Sequence, residues 1–396
     1  MRVLRNIGWT VISRLGVQGL AVLSNVLLAR LLGRDGFGEY ALITSVLWIG
    51  NAFTNFGMDM ILIRKLASMP DENTLTDGLV LQVLLSFAWI AGIFLWDVFF
   101  TLPFSLKVYI FALLPLSFYS ILTIYLRARQ EMKNFSVLQF LMSLANLAVV
   151  GVAWNFKTGV AAFAALLLGV QVAFAMIALF FLRTAIKPGF FSFRRSLDLM
   201  KVCAEMAVIG TLRLVYEKTP LALLPSLTGF STAGLFSASS RVVEAGRLGY
   251  FSAFTAIYPE MARDRHFGKQ KKGLAVLIGS ALMVSALLSL AADPLVRLLF
   301  GIDFVGSVPS LRILAWLLPP YVLAAYTSLG LVALGLERLT LFALVPSLGV
   351  LVVLLVALTI QFGITSTAWA VLLSEILHAV LLWRQWRLHA FSELHR

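Results

Sequence analysis

The strongest constraint in this chain is a succession of apolar runs about twenty residues long, joined by connections too short to fold on their own. The runs lie near 9–30, 40–62, 79–98, 107–126, 135–155 and 159–182, then near 202–224, 233–258, 273–292, 309–334, 339–360 and 365–386. An α-helix needs about 20 apolar residues to cross the ~30 Å hydrocarbon core of a bilayer. Lipid offers no water to the backbone, so each run must satisfy its own N–H and C=O groups, and a helix does that. Composition agrees: of 396 residues, 60% are hydrophobic and 13% charged, and mean hydropathy is +0.92. So little charge cannot clothe a soluble protein of this size. The expected fold is all-α, a polytopic membrane protein with about twelve transmembrane helices. The run at 202–224 is the most charged, with Glu205, Arg213, Glu217 and Lys218. The N-terminal run lacks a small-residue cleavage site and is interrupted by Arg14, Gln18 and Asn25, so it reads as a retained helix.

The net charge of +13 would suggest nucleic acid in a soluble chain. Here it reads as topology, because basic residues concentrate in cytoplasmic loops. With the N-terminus inside, inner segments hold Arg2 and Arg5; Arg64 and Lys65; Arg127, Arg129 and Lys133; Arg183, Lys187, Arg194, Arg195 and Lys201; Arg263, Arg265, Lys269, Lys271 and Lys272; Arg338; and Arg384, Arg387 and Arg396. Outer segments hold only Arg30, Arg34, Lys107, Lys157, Arg297 and Arg312. Both termini are therefore expected in the cytoplasm, and no nucleic-acid partner is expected.

An internal repeat suggests how the helices are grouped. LGRDGFGEYA at 32–41 aligns with TGFSTAGLFS at 228–237, a shift of 196, pairing Gly33 with Gly229, Gly38 with Gly234 and Tyr40 with Phe236. AAFAALL at 161–167 resembles TAWAVLL at 367–373, at a shift of 206. An even number of spans per half makes the repeat parallel, and such halves can rock about a shared cavity. The expected division is an N-lobe at 1–190, a cytoplasmic linker at 191–201 and a C-lobe at 202–396. In the linker region, Phe190, Phe191 and Phe193 beside Arg194 and Arg195 suit lipid headgroups.

Polar residues inside spans are costly in lipid and mark interior or wet surfaces. Arg14, Gln18 and Asn25 share one face of the first span at about 100° per residue, and Asn51, Asn55 and Asp59 share one face of the second. The later spans carry Glu205, Arg213, Glu217 and Lys218; Ser237, Arg241, Glu244 and Arg247; and Glu375 with His378. One reading is a polar, net basic substrate cavity formed by Arg14, Gln18, Asn25, Asn55, Arg213, Lys218, Arg241 and Arg247. Four of its five cations are Arg, whose planar fork suits phosphate. Asp59, Glu205, Glu217, Glu244 and Glu375 are then candidates for ion coupling, since a carboxylate can take up a proton in one state and release it in another. The competing reading is internal pairing, Arg241 with Glu244 or Glu244 with Arg247, serving packing alone.

Enzymatic readings find little support. No HExxH and no cysteine cluster is present, so no metal site is expected. No GxxxxGK occurs, and GRDGFG at 33–38 reads as a turn. No cofactor is expected. The single Cys203 excludes an intrachain disulfide.

LARLLGRDGFGEYALITSV at 28–46 resembles the opening signature of the Wzx-type lipid-linked oligosaccharide flippases, the polysaccharide-export branch of the MATE-like MOP exporter superfamily. The matching positions are Arg30, Leu31, Leu32, Gly33, Gly36, Gly38 and Tyr40. Residues 234–263, closing at Pro259, and 294–316 resemble later family segments. The resemblance implies two six-helix lobes in a V, in a bacterial inner membrane. It implies alternating access and ion-coupled flipping of an undecaprenyl-diphosphate-linked oligosaccharide for surface polysaccharide synthesis. Membrane lipid and other polysaccharide-assembly proteins are the implied partners. Two alternatives stay open: a multidrug or cation antiporter of the same superfamily, and a non-transporting component of a glycan-assembly complex.

Overall fold

The structure is a computed structural model that describes residues 2–68, 72–183, 185–186, 191–263 and 270–392. Lys187 and Phe190 of the linker region, the loop cations Arg265 and Lys269, and Arg396 lie outside the described residues. The elements in chain order are α1 (Arg2–Asn55), α2 (Met58–Ser68), α3 (Glu72–Phe99), α4 (Phe104–Tyr109), α5 (Leu113–Ala128), α6 (Met132–Phe156) and α7 (Val160–Leu182). They continue as α8 (Phe193–Thr228), α9 (Phe230–Arg263), α10 (Gln270–Leu290), α11 (Ala292–Leu299), α12 (Val308–Leu314), α13 (Leu318–Ala333) and α14 (Leu339–Ser392). No strand occurs among the described residues, so the expected all-α membrane fold is observed.

Eight helical stretches among the described residues are long and apolar enough to cross a membrane. Two of them are double. α1 bends at Gly33 (φ 65°) and α14 at Gly363 (φ 66°), so each joins two helices through one left-handed glycine. The more heavily charged α8 and α9 are not among the eight. They have 36 and 34 residues, which at 1.5 Å per residue is about 50 Å, longer than a bilayer core. The second span departs from expectation. Phe56 (φ 48°) and Gly57 (φ 66°) break it before α2. The expected common face of Asn51, Asn55 and Asp59 needs a continuous helix, so the break interrupts it. A side chain at Gly57 would lie 2.8 Å from the backbone N of Ala207. The break thus brings the chain against the backbone of α8.

Contacts divide the chain into two units, Met1–Leu32 with Leu42–Lys218, and Gly33–Ala41 with Thr219–Arg396. In the first, α5 packs on α2, α3 and α7 around Met58, Leu62, Ile121, Leu122, Phe174, Leu182, Leu199 and Cys203. Ser86 and Ser117 hydroxyls meet at 3.1 Å within this packing, joining α3 to α5. Residues 191–201, expected as a linker, belong by contact to this unit. In the second, α13 packs on α9, α10 and α14, and the buried Tyr326 meets Trp386 edge to face.

The repeat reappears in this geometry. Gly33 and Gly229, 196 residues apart, both turn with positive φ, 65° and 89°. Five residues on, Gly38 and Gly234 meet reciprocally. A Cβ on Gly38 would lie 1.9 Å from the Phe230 carbonyl oxygen, and one on Gly234 would lie 1.9 Å from that of Arg34. Phe230 is itself 196 residues beyond Arg34, so the contact repeats its own register. Asp97 and Asp293 share the same shift, and each pairs with a later cation: Lys107 at 2.6 Å and Arg297 at 2.8 Å.

Neither backbone at the glycine crossing can yield as a side chain would. Gly38→Ala and Gly234→Ala should each destabilise beyond the ~1–3 kcal/mol usual for overpacking. Gly19, with open space around it, is the control, and Gly19→Ala should be neutral or mildly stabilising. Thermal unfolding of the purified protein in detergent reads both.

Candidate functional site

The second unit carries its charges on α9. Arg241 donates from Nη1 to Glu244 Oε2 at 3.0 Å, one turn along the same helix. Its Nε is buried and makes no hydrogen bond. Arg247 lies over the Tyr321 ring, 4.7 Å from its centroid, and its Nε is likewise buried without a hydrogen bond. Ser237, one turn before Arg241, is fully buried, and its hydroxyl has no partner either. Three buried donors thus lie along one helix, with Glu244 between the two arginines. Glu375 on α14 is buried, at 7% exposure.

The first unit holds the remaining expected residues, more loosely. Arg14 is exposed and Gln18 half-buried. Asn25 donates to its own helix at the Ala21 carbonyl, 2.7 Å away, while its Oδ1 and that of Asn55 are buried without hydrogen bonds. Arg213 reaches Glu217 at 3.4 Å along α8, with 59% of its side chain exposed. Glu205 and Lys218 are half-buried. Asp59 pairs with Arg127 at 3.0 Å, an ion pair joining α2 to α5. Arg127 also stacks over Phe135. Arg241, Glu244 and Arg247 follow one another at three-residue steps along α9.

Three informative residues escaped sequence reasoning. Arg127 read as a loop cation, yet it neutralises an acid inside the protein. Tyr321, directly after Pro319 and Pro320, carries no charge and was not singled out. Asp77 lies just before the apolar run near 79–98, with no basic residue between Lys65 and Lys107. It is the more consequential omission. Its carboxylate is buried, accepts from Arg195 Nε at 2.7 Å and from the Ser192 backbone N–H at 2.9 Å. It therefore caps the start of α8 from α3, through residues 115 to 118 positions away. No local pattern announces such a pairing.

A family model for polysaccharide biosynthesis proteins matches residues 3–264. The chain belongs to this family. No curated protein matches it. Among solved structures, this polysaccharide biosynthesis protein is similar to an inward-facing multidrug resistance MATE family transporter of the MOP superfamily. That match has a TM-score of 0.77 and 15% identity over 96% of this chain and 98% of that one. An outward-facing MATE family structure matches with a TM-score of 0.67 and 16% identity, covering 100% and 96%. A MOP superfamily transporter from Pyrococcus furiosus, described by a binding pocket of reverse polarity, matches at 0.66 and 14% identity, covering 99% and 94%. These likenesses show the fold. Fold and apolar helices support a multi-pass membrane protein.

Asp77→Ala should cost about 2 kcal/mol, the loss of acceptors for one charged and one backbone donor. Arg195→Ala should cost less, because Arg195 is 46% exposed and its loss leaves the carboxylate one backbone donor. Thermal unfolding gives the ranking. Amide exchange at Ser192, faster in Asp77→Ala alone, identifies the cap as the cause.

Proposed function

We propose that this protein flips undecaprenyl-diphosphate-linked oligosaccharide units across the bacterial inner membrane, supplying surface polysaccharide synthesis. The observation that carries the reading is the α9 group. A polysaccharide-family transporter holds Arg241 and Arg247 inside a span region with buried, unused N–H donors. Such donors suit the acceptor-rich oxygens of a diphosphate. A hydrophobic cation, the substrate class of a multidrug exporter, would meet like charge there.

The mechanism follows from that chemistry. The diphosphate binds in a net basic cavity, with Arg241 and Arg247 as its principal contacts and Arg14, Gln18, Asn25, Asn55, Arg213 and Lys218 as further polar lining. The polyprenyl tail stays in lipid. Twelve spans in two parallel lobes, 1–190 and 202–396, alternate access with both termini in the cytoplasm. An ion gradient drives the cycle. Among Asp59, Glu205, Glu217, Glu244 and Glu375, the buried Glu375 is the first choice for the protonated switch.

The test is orientation of a lipid-linked sugar in proteoliposomes. Arg241→Ala should slow initial flipping by tenfold to a hundredfold, matching the loss of a charge-assisted hydrogen bond of about 1.5–3 kcal/mol. Arg213→Ala, at an exposed intrahelical pair, should slow it less. Unchanged flipping in both variants removes the cationic site. Transport of hydrophobic cations, with no lipid-linked sugar moved, favours the multidrug reading. Collapsing proton and sodium gradients separately identifies the driving ion, and indifference to both refutes coupling.

A further inference from the structure

Arg241, Glu244 and Arg247 follow one another at three-residue steps along α9. At 1.5 Å per residue, Glu244 stands about 4.5 Å along the axis from each arginine, and about 60° around it from each. One carboxylate is therefore within side-chain reach of both cations. In the structure it takes Arg241, through Nη1 at 3.0 Å. That contact uses one edge of the guanidinium and leaves Nε buried without a hydrogen bond. Arg247 lies over the face of Tyr321, a contact that occupies its π-surface, and its Nε is buried without a hydrogen bond. Ser237 adds a buried, unpartnered hydroxyl one turn beyond Arg241, about 40° from it around the helix.

Resting on the proposed function, we propose that Glu244 is a built-in competitor for the substrate's diphosphate. It occupies Arg241 when the site is empty and is displaced when an anionic phosphoryl group binds. The empty site then carries part of its own compensation. A bound diphosphate gains the Nε and Ser237 donors that Glu244 does not use. Because the anion must displace a carboxylate, affinity stays moderate and release remains fast. A carrier needs this, since a site that only binds cannot turn over. Glu244 thereby acts as an affinity-setting residue rather than as the ion-coupling acid.

The experiment uses the full chain in lipid nanodiscs and a fluorescent short-chain polyprenyl diphosphate, with the matching monophosphate and alcohol as comparison probes. The wild type should bind the diphosphate, bind the monophosphate more weakly and ignore the alcohol. Glu244→Gln, which keeps shape and removes charge, should bind the diphosphate about tenfold tighter, a change of ~1.4 kcal/mol, with slower dissociation. Arg241→Ala should bind weakly, and adding Glu244→Gln to it should restore little, because the competition acts at Arg241. Equal or weaker binding by Glu244→Gln overturns the proposal while leaving the flippase reading intact. So does a full tenfold gain in the Arg241→Ala background. Should Glu244→Gln not fold, Glu244→Asp takes its place. Its shortened arm should give an intermediate gain, and unchanged affinity overturns the proposal. A wild type that binds none of the three probes removes the flippase reading, and this inference with it.

Discussion

Two helix starts meet backbone to backbone at Gly38 and Gly234, and much of the architecture turns on that meeting. Each glycine faces a carbonyl oxygen of the opposite segment at a distance where any Cβ would lie 1.9 Å away. Small residues allow this approach in membrane proteins, where the hydrophobic effect gives no drive for helix association and close van der Waals packing must supply it. The contact explains an oddity of the chain's division. Residues 33–41 belong by contact to the second unit, although the segments on either side belong to the first. The left-handed turn at Gly33 lets the chain leave one unit, and Gly38 fastens the excursion.

That crossing was half legible. Aligning 32–41 with 228–237 pairs Gly33 with Gly229 and Gly38 with Gly234 in sequence alone. Alignment said the four glycines occupy equivalent places. It could not say that two of them touch. Apolar run lengths were similarly informative about helices, because a bilayer imposes its thickness on every span. They could not locate the break at Phe56–Gly57. Phe56 is a non-glycine residue at φ 48°, a conformation that local propensity disfavours and that tertiary contact with α8 accompanies. The unit boundary at Lys218–Thr219 was hidden for a different reason. It falls beside Glu217 and Lys218 inside the continuous helix α8, where no loop separates the two sides.

Charge pairing divides by range. Arg213–Glu217, Arg241–Glu244 and Arg297–Asp293 are pairs within one helix, three or four residues apart, and helical periodicity makes such pairs readable. Asp59–Arg127 and Asp77–Arg195 join different helices across 68 and 118 residues. Those pairs depend on the packing of α2, α3, α5 and α8, which a linear pattern does not contain. The sequence therefore showed which spans were charged, while the identity of each partner came from the fold.

This distinction bears on how a cationic site can exist in a membrane protein at all. An isolated charge in a low-dielectric interior is strongly unfavourable, so an empty site must carry its own compensation. Counting arginines overstates the field a substrate meets, because each intrahelical acid subtracts from it. What survives compensation is geometry: which N–H donors the acid leaves unused and which direction they face. On α9 the acid covers one edge of Arg241, an aromatic face covers Arg247, and two Nε atoms with the Ser237 hydroxyl stay unspent. Selectivity for an acceptor-rich anion then resides in those donors rather than in net charge. For that reason the compact trio Arg241, Glu244 and Arg247 says more about the substrate than the whole set of charged positions from which it was drawn.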